Sequence, residues 1–412
     1  MKKGFTIIEL LVVVAIVSII AIVVVLTLNP PDLFRQARDT SRISDMGTLN
    51  KAISLYYQDA MSSPSTMFMG TSSIIYISVP DPTAGVGGNQ CQGLGLPAAP
   101  TGYTYQCAAS STYMKTNGTG WIPINFGSYV AGSVISKLPV DPTNTTSTNF
   151  YYTYVTDGIG GFKVAAFLES LKDAPQMAKD GGNDPALYEK GSNLALASGR
   201  GLIGYWPMDE GTGSTAIDYS GSNGTGTWSG SQTGSSGYYS AGKLGPWAGT
   251  FDGSTDYVLN NQTVNIPVVT VSAWIYASSY PGAKARIVGF TSGNNGVNYD
   301  KEILIDPNGK IYFYVFTNTS LTTSAPTNPI PINQWVYVVG TANGTTAIAY
   351  VNGAQVGSVA AGNTFASYTS PDILIGGYEA SDGYFKGLID DVRVYNRALS
   401  AAEIQETYNA EK

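Results

Sequence analysis

Positions 10–28 carry no charged residue and are Leu, Val, Ile or Ala apart from Ser18 and Thr27. As a helix they would extend roughly 28 Å at 1.5 Å per residue, about one hydrocarbon core. Lys2 and Lys3 stand before the run, on the flank expected to stay cytoplasmic. A secretory peptide would show a shorter apolar core followed by a small-x-small cleavage site, and this run fits neither requirement. A plain membrane anchor accounts for everything here except Glu9. A carboxylate near the start of a spanning helix costs a few kcal/mol and needs a partner or a reason.

The rest of the chain is of another kind. It has 412 residues, enough for two or three domains. Only 12% of positions are charged, while 48 Gly and 28 Tyr are in excess, a composition suited to short strands and tight turns. The aromatic content supplies ample core, which excludes a fully disordered chain. The net charge of −7 gives nucleic acid no electrostatic reason to bind. Histidine is absent, which excludes Ser-His-Asp and Cys-His catalysis and removes the commonest ligand of catalytic zinc.

The stretch Gly4-Phe5-Thr6-Ile7-Ile8-Glu9-Leu10-Leu11 resembles the leader junction of type IV prepilins and pseudopilins. The resemblance implies that a membrane peptidase removes residues 1–4 by cutting between Gly4 and Phe5, and that Phe5 becomes an N-methylated terminus. Glu9 would then pair with the ammonium of Phe5 on a neighbouring subunit. Such a pair fixes register more than it adds stability, since a mismatched subunit leaves a charge unpaired in apolar surroundings. The implied partners are identical or related pilin subunits, the prepilin peptidase and the assembly machinery. The implied path runs from the inner membrane to an extracellular pilus. A long N-terminal helix is expected over residues 5–60, apolar over 5–28, kinked at Pro30-Pro31 and amphipathic over 32–60. Met46, Leu49, Ile53 and Tyr56 recur at helical spacing on one face; Arg35, Arg38, Asp39, Arg42, Asp45 and Lys51 fill the polar remainder.

Residues 61–198 read as the pilin-like globular region of an α+β domain, an antiparallel sheet packed on the helix. Strands are predicted at Ile74–Val79, Tyr103–Cys107, Phe150–Val155 and Phe162–Phe167. The Gly-, Asn- and Asp-rich stretch 181–193 reads as surface loop and exit linker, with the boundary near 199. Cys91 and Cys107 are the two cysteines of the chain. In an exported protein they are expected to form a disulfide, worth roughly 3 kcal/mol for a loop of this size.

From residue 201 to 412 about eleven strands follow at short intervals. Asn308-Gly309, Asn343-Gly344 and Asn352-Gly353 each separate a pair of neighbouring strands, and Asn-Gly favours the two-residue hairpin. An all-β jelly-roll sandwich is predicted. Gly204-Tyr205-Trp206-Pro207-Met208-Asp209-Glu210-Gly211, Phe251-Asp252-Gly253 and Gly387-Leu388-Ile389-Asp390-Asp391-Val392-Arg393-Val394-Tyr395 resemble the laminin-G-like, concanavalin-A-type lectin/glucanase superfamily. This implies binding of carbohydrate or protein and often a bound calcium. Asp209, Asp252, Asp390 and Asp391 are the candidate calcium ligands, although Asp beside Gly also serves turns. A glucanase needs two carboxylates about 5 Å apart on one face. Asp390 and Asp391, as adjacent strand residues, should face opposite ways, and Asp306 should leave the face of Glu302 at a turn. No catalytic residue is therefore assigned. Trp274 and Trp335 read as core, whereas Trp228, Tyr238, Tyr239, Trp247, Tyr280 and Tyr378 read as loop aromatics open to a ligand.

The whole reads as a structural filament subunit, not an enzyme, that displays a lectin-like domain for adhesion to a glycan or surface ligand. The same leader also serves pseudopilins of secretion or uptake machines, in which the sandwich would engage cargo.

Overall fold

The computed structural model describes the chain except residues 1–6, 29, 62–66, 84–90, 92, 98, 101, 129–132, 148–149, 171, 185, 198–200, 223, 231–237, 262–267, 292–298, 316–320, 323–327, 361–371 and 378–382. Two helices open it, α1 over Ile7–Leu28 and α2 over Pro30–Ala60. The two prolines stand at the first positions of α2, where a missing N–H costs nothing. They separate the helices by starting the second one.

Five strands pack beside α2: β1 Ile74–Asp81, β2 Thr104–Ala109, β3 Thr153–Thr156, β4 Phe162–Ala166 and β5 Tyr188–Gly191. They form one sheet in the order β2-β1-β3-β4-β5. The sheet is not wholly antiparallel as expected, because β1 and β2 run parallel. Met46, Leu49, Ile53 and Tyr56 of α2 are buried in its core with Tyr152, Tyr154, Phe162 and Val164. The predicted exit linker is corrected here. Tyr188-Glu189-Lys190 completes the sheet as β5, and Glu189 is buried against Lys163 of β4 at 2.7 Å. An unpaired buried carboxylate would be costly, and Lys163 across the ladder offsets that cost.

A second correction concerns the polar face of α2. Asp39 and Arg42 are fully buried. Arg42 donates from Nε and Nη2 to Asp141 at 2.7 and 3.0 Å, and from Nη1 to Asp39 at 2.8 Å and Glu169 at 2.6 Å. Arg38 grips the same Glu169 with two hydrogen bonds of 2.6 and 2.7 Å. Asp39 in turn accepts the amides of Glu169 and Ser170. Helix and sheet are thus joined by paired charges as well as by apolar packing.

Beyond residue 200 the chain is a sandwich. Its strands are β6 Leu202–Trp206, β7 Thr215–Ala216, β8 Gly226–Ser229, β9 Tyr239–Ala241, β10 Trp247–Asp252 and β11 Tyr257–Asn260. Next come β12 Val269–Ala277, β13 Ala285–Thr291, β14 Tyr299–Ile305, β15 Ile311–Val315, β16 Leu321–Thr322 and β17 Trp335–Ala342. The last five are β18 Thr346–Val351, β19 Ala354–Ala360, β20 Asp372–Ile375, β21 Gly383–Tyr384 and β22 Lys386–Tyr395. One sheet runs β19-β18-β17-β12-β22-β10-β9, with β6 on β22; the other runs β16-β15-β14-β13-β20-β11-β8-β7, with β21 on β13. All three Asn-Gly pairs sit at hairpins, joining β14 to β15, β17 to β18 and β18 to β19. Val271, Ala273, Ile275, Phe290, Phe313, Ile375 and Ile389 fill the space between the sheets.

The outer face of the first sheet is covered too. Trp274, Tyr337, Tyr350 and Tyr395 lie beneath α3, Ala401–Glu411, against its Ile404. Ser400 and Glu403 form a capping box at its start. Trp274 is therefore core, but on the face opposite the sandwich interior.

The sandwich and the five-stranded unit touch through polar groups. Asn183 Nδ2 donates to the carbonyls of Leu196 and Tyr219 at 3.1 and 2.6 Å, and its Oδ1 accepts from Lys163. Gly221, at φ 85°, lies so close to Ala195 and Ala197 that a Cβ would sit 2.8 Å from the Ala197 amide. Arg42→Ala is expected to cost about 3–5 kcal/mol, because Asp39, Asp141 and Glu169 lose their shared cation in a buried site. Chemical denaturation of the detergent-solubilised chain should show that loss as a lower midpoint.

Candidate functional site

Gly4 and Phe5 lie outside the described residues. Glu9 stands in the first turn of α1, the one acidic residue there. Along its described length the helix is sheathed in exposed apolar side chains, from Ile7 at 78% and Ile8 at 74% to Val17 at 59%. Among the described residues nothing covers them. The side chains of α1 are described only as far as Ser18, and among the described residues no helix is long and apolar enough to cross a membrane.

Cys91 and Cys107 are joined, with Cα atoms 5.2 Å apart. Cys107 is buried on β2 among Ile75, Ile77 and Tyr151, so the bridge pins the loop that carries Cys91 to the sheet.

The four calcium candidates divide. Asp252 is spent on its own turn: Oδ1 accepts the amides of Ser254, Thr255 and Asp256, and Oδ2 the two hydroxyls. These hydrogen bonds outweigh burial and hold its carboxyl far below the usual range. The other three gather around the tip of the β9–β10 hairpin. Asp390 Oδ2 accepts the amides of Lys243 and Leu244 at 2.7 and 3.2 Å, and Asp209 accepts that of Trp247 at 3.0 Å. A Cβ at Gly245 would press on the Asp209 carboxylate, so any other residue there would have to displace that side chain.

Asp390 and Asp391 do not face opposite ways, contrary to the alternation of a regular strand. Ser272 pairs with Arg393 and Trp274 with Asp390, so two residues of β22 face the single Ala273 in a β-bulge. Asp391 takes the left-handed conformation that the bulge demands, with φ 51°. Ile389 and Val392 both enter the sandwich core, and the two carboxylates between them turn outward together. Arg393 then binds Asp391 at 2.6 Å and Glu411 at 3.0 Å, with its guanidinium over Tyr205. Trp274 Nε1 donates to Glu411 at 2.7 Å, and the Tyr205 hydroxyl donates to Asp391.

Two buried carboxylates per guanidinium leave excess negative charge. Burial, with Asp391 alongside, pushes the Asp390 carboxyl up to about 8, and burial raises Glu411 to about 7. This donor set does not make an oxygen cage. Asp391 is committed to Arg393, Asp390 and Asp209 to hairpin amides, and Asp252 to another turn. Among the described residues no group of three or more metal-ligating side chains is arranged around a common point.

The remaining acidic pair is also structural. Glu302 is buried against Arg286 at 2.6 Å, and Asp306 turns into the hairpin to accept the amides of Asn308 and Lys310. Most of the loop aromatics are not open to a ligand. Trp228 stacks on Tyr238 at 4.6 Å and donates to the Tyr239 hydroxyl at 3.0 Å, all three buried. Tyr280 packs on the core with its hydroxyl on the Ile330 carbonyl. Trp247 alone of those described is well exposed, at 41%. Tyr378 lies outside the described residues.

A model of the concanavalin A-like lectin/glucanases superfamily matches residues 251–405, and the prokaryotic N-terminal methylation motif matches residues 1–25. This chain joins the two. No curated protein matches it. Among solved structures it is similar to domain 4 of a GH43 extracellular arabinanase from Geobacillus stearothermophilus, solved with arabinotriose. Identity is 20% and the TM-score 0.41, over 50% of this chain and 98% of that one. The binding domain of botulinum neurotoxin DC, in complex with SialylT, aligns at 16% identity and a TM-score of 0.38, covering 52% of each chain. Trypanosoma rangeli sialidase aligns at 13% identity and a TM-score of 0.40, over 66% of this chain and 50% of that one. These likenesses concern fold and carry no functional argument.

The Asp390 carboxyl sets a pH dependence. Its folded-state value lies above the unfolded one, so the unfolded chain releases this proton first as pH rises. Stability from this site is complete below about pH 4 and is lost on the way to about pH 8. Asp390→Asn keeps an acceptor for both amides and removes the titration. The fall in melting temperature between pH 5 and 8 should be shallower in that variant than in the parent chain.

Proposed function

We propose that the chain is a subunit of a type IV pilus-like extracellular filament that displays a lectin-like sandwich for adhesion to a carbohydrate or surface ligand. The observation that carries this reading is the methylation motif running directly into α1, whose described side chains are exposed and, apart from Glu9 and Ser18, apolar. Such a helix must be covered by lipid or by copies of itself. The precursor would sit in the inner membrane, lose residues 1–4 and gain a methyl group on Phe5. It would then pass into the filament core with Glu9 setting register. The α2 helix and its five-stranded sheet act as the pilin-like α+β domain around that core, with the disulfide bracing its outer loop. The work is structural and binding, not catalytic. The same features serve a pseudopilin of a secretion or uptake machine, and filament length on cells separates the two.

Glu9→Ala should be cleaved after Gly4, giving a mature mass that begins at methylated Phe5, yet enter fibres poorly. Normal fibres from this variant would overturn the role given to Glu9. Gold-labelled antibody to residues 201–412 should decorate thin surface fibres on intact cells. Label confined to the envelope would favour the pseudopilin.

A further inference from the structure

Lys163 stands buried in the five-stranded sheet, and two side chains and one carbonyl meet its ammonium. It lies on β4, and Glu189 is its diagonal neighbour on the same face of β5. Nζ is 2.7 Å from Glu189 Oε1 and donates to Asn183 Oδ1 at 2.6 Å and to the Leu194 carbonyl at 3.3 Å. Lys163, Asn183 and Glu189 are 1, 5 and 0% exposed, so the three meet away from water. The amide is held in one orientation. Its Nδ2 donates to the carbonyls of Leu196 and Tyr219 at 3.1 and 2.6 Å, which leaves the amide carbonyl facing Nζ. The carbon of that carbonyl is one bond beyond the oxygen that Nζ already touches. Glu189 is held as well, with Oε2 accepting the Asp184 amide at 2.9 Å and Oε1 toward the lysine. Burial pushes the Glu189 carboxyl up to about 7, against the pull of Lys163 and with the help of Asp184. It therefore exchanges a proton readily near neutral pH. A buried amine in contact with both an amide carbonyl and such a carboxyl has the parts of an acyl transfer.

We propose that Lys163 and Asn183 become joined by an amide bond between their side chains, formed by the folded chain itself with Glu189 as proton carrier. The Lys163 ammonium passes one proton to Glu189, which frees the Nζ lone pair. Nζ bonds to Asn183 Cγ, and the carbonyl electron pair moves onto Oδ1. As that pair returns, the Cγ–Nδ2 bond breaks. Nζ gives up one further hydrogen and Nδ2 gains one, with Glu189 as relay, so Nδ2 leaves as ammonia. The proton first taken from Lys163 goes with it, as ammonium. The product is one secondary amide, and its balance needs no oxidant or co-reactant. The fold supplies the rate, because groups already held in contact replace a bimolecular encounter. Water is about the size of the departing ammonia and can donate to the Leu196 and Tyr219 carbonyls in its place. The bond would staple β4 to the loop through which the sheet meets the sandwich, whatever ligand the sandwich takes.

Mass spectrometry of the full chain, purified in detergent and with the Cys91–Cys107 disulfide reduced, reads the bond directly. The parent should be lighter by one ammonia than its processed sequence. A protease digest should contain a branched peptide in which the segment around Lys163 is joined to the segment around Asn183. This peptide map of the parent decides the question without any variant, so a variant that fails to fold does not blur it. Lys163→Arg keeps the charge and removes the nucleophile, and Glu189→Gln keeps the volume and removes the proton carrier. Each should show the full mass and no branched peptide, and Glu189→Gln should do so in a chain that still melts cooperatively. A parent of full mass would overturn the proposal and leave the three residues a hydrogen-bonded ion pair. So would a loss of ammonia that maps to a succinimide at one of the Asn-Gly pairs. A branched peptide undiminished in folded Glu189→Gln would overturn the part given to Glu189.

Discussion

The buried Arg42 guanidinium holds the N-terminal helices to everything that follows. It sits on α2 and answers three carboxylates, one on its own helix and two from distant regions of the chain. Apolar packing by Met46, Leu49 and Ile53 supplies the adhesion between helix and sheet, but it tolerates sliding. Hydrogen-bonded charges in a dry site do not, because each small displacement strips a partner from a charge that water cannot reach. The register of α2 against β4 is therefore fixed at Asp39, Arg42 and Glu169.

A second buried arginine has the same role in the sandwich. Arg393 gathers Asp391 and Glu411, and so ties β22 to the end of α3. The bulge at Asp391 makes this possible by turning two consecutive acidic side chains to one face. Asp390 then holds the β9–β10 hairpin by its amides. One backbone irregularity thus organises the closing helix and a neighbouring hairpin.

What the sequence revealed, and what it hid, divides by range. The Asn-Gly hairpins and the strands they join were readable because each depends on neighbours a few residues apart. The same local logic placed Asp39 and Arg42 on the polar remainder of the helix but not in a buried ion pair, since helical spacing says nothing of Asp141 and Glu169. It took Tyr188-Glu189-Lys190 for linker because Gly, Asn and Asp surround it, while its partners, β4 and Lys163, lie more than twenty residues earlier. Trp228, Tyr238 and Tyr239 stand among Gly and Ser and resembled loop residues, yet they are buried together in the sandwich core. The β22 bulge left no mark in the residue pattern at all. Of the candidate ligands, Asp209, Asp390 and Asp391 did converge, through segments that share no local signal, and Asp252 did not.

The junction at Asn183 and Gly221 has a consequence for how a ligand would be met. Its hydrogen bonds and close backbone approach leave the sandwich little freedom to swivel on the sheet below it. If the chain assembles as proposed, copies along a fibre would point their sandwiches in directions set by helical symmetry, with one fixed spacing. Attachment to a repeating polymer would depend on whether its repeat matches that spacing. A weak single contact multiplied along a matching surface becomes a strong one, and the same contact on a mismatched surface stays weak.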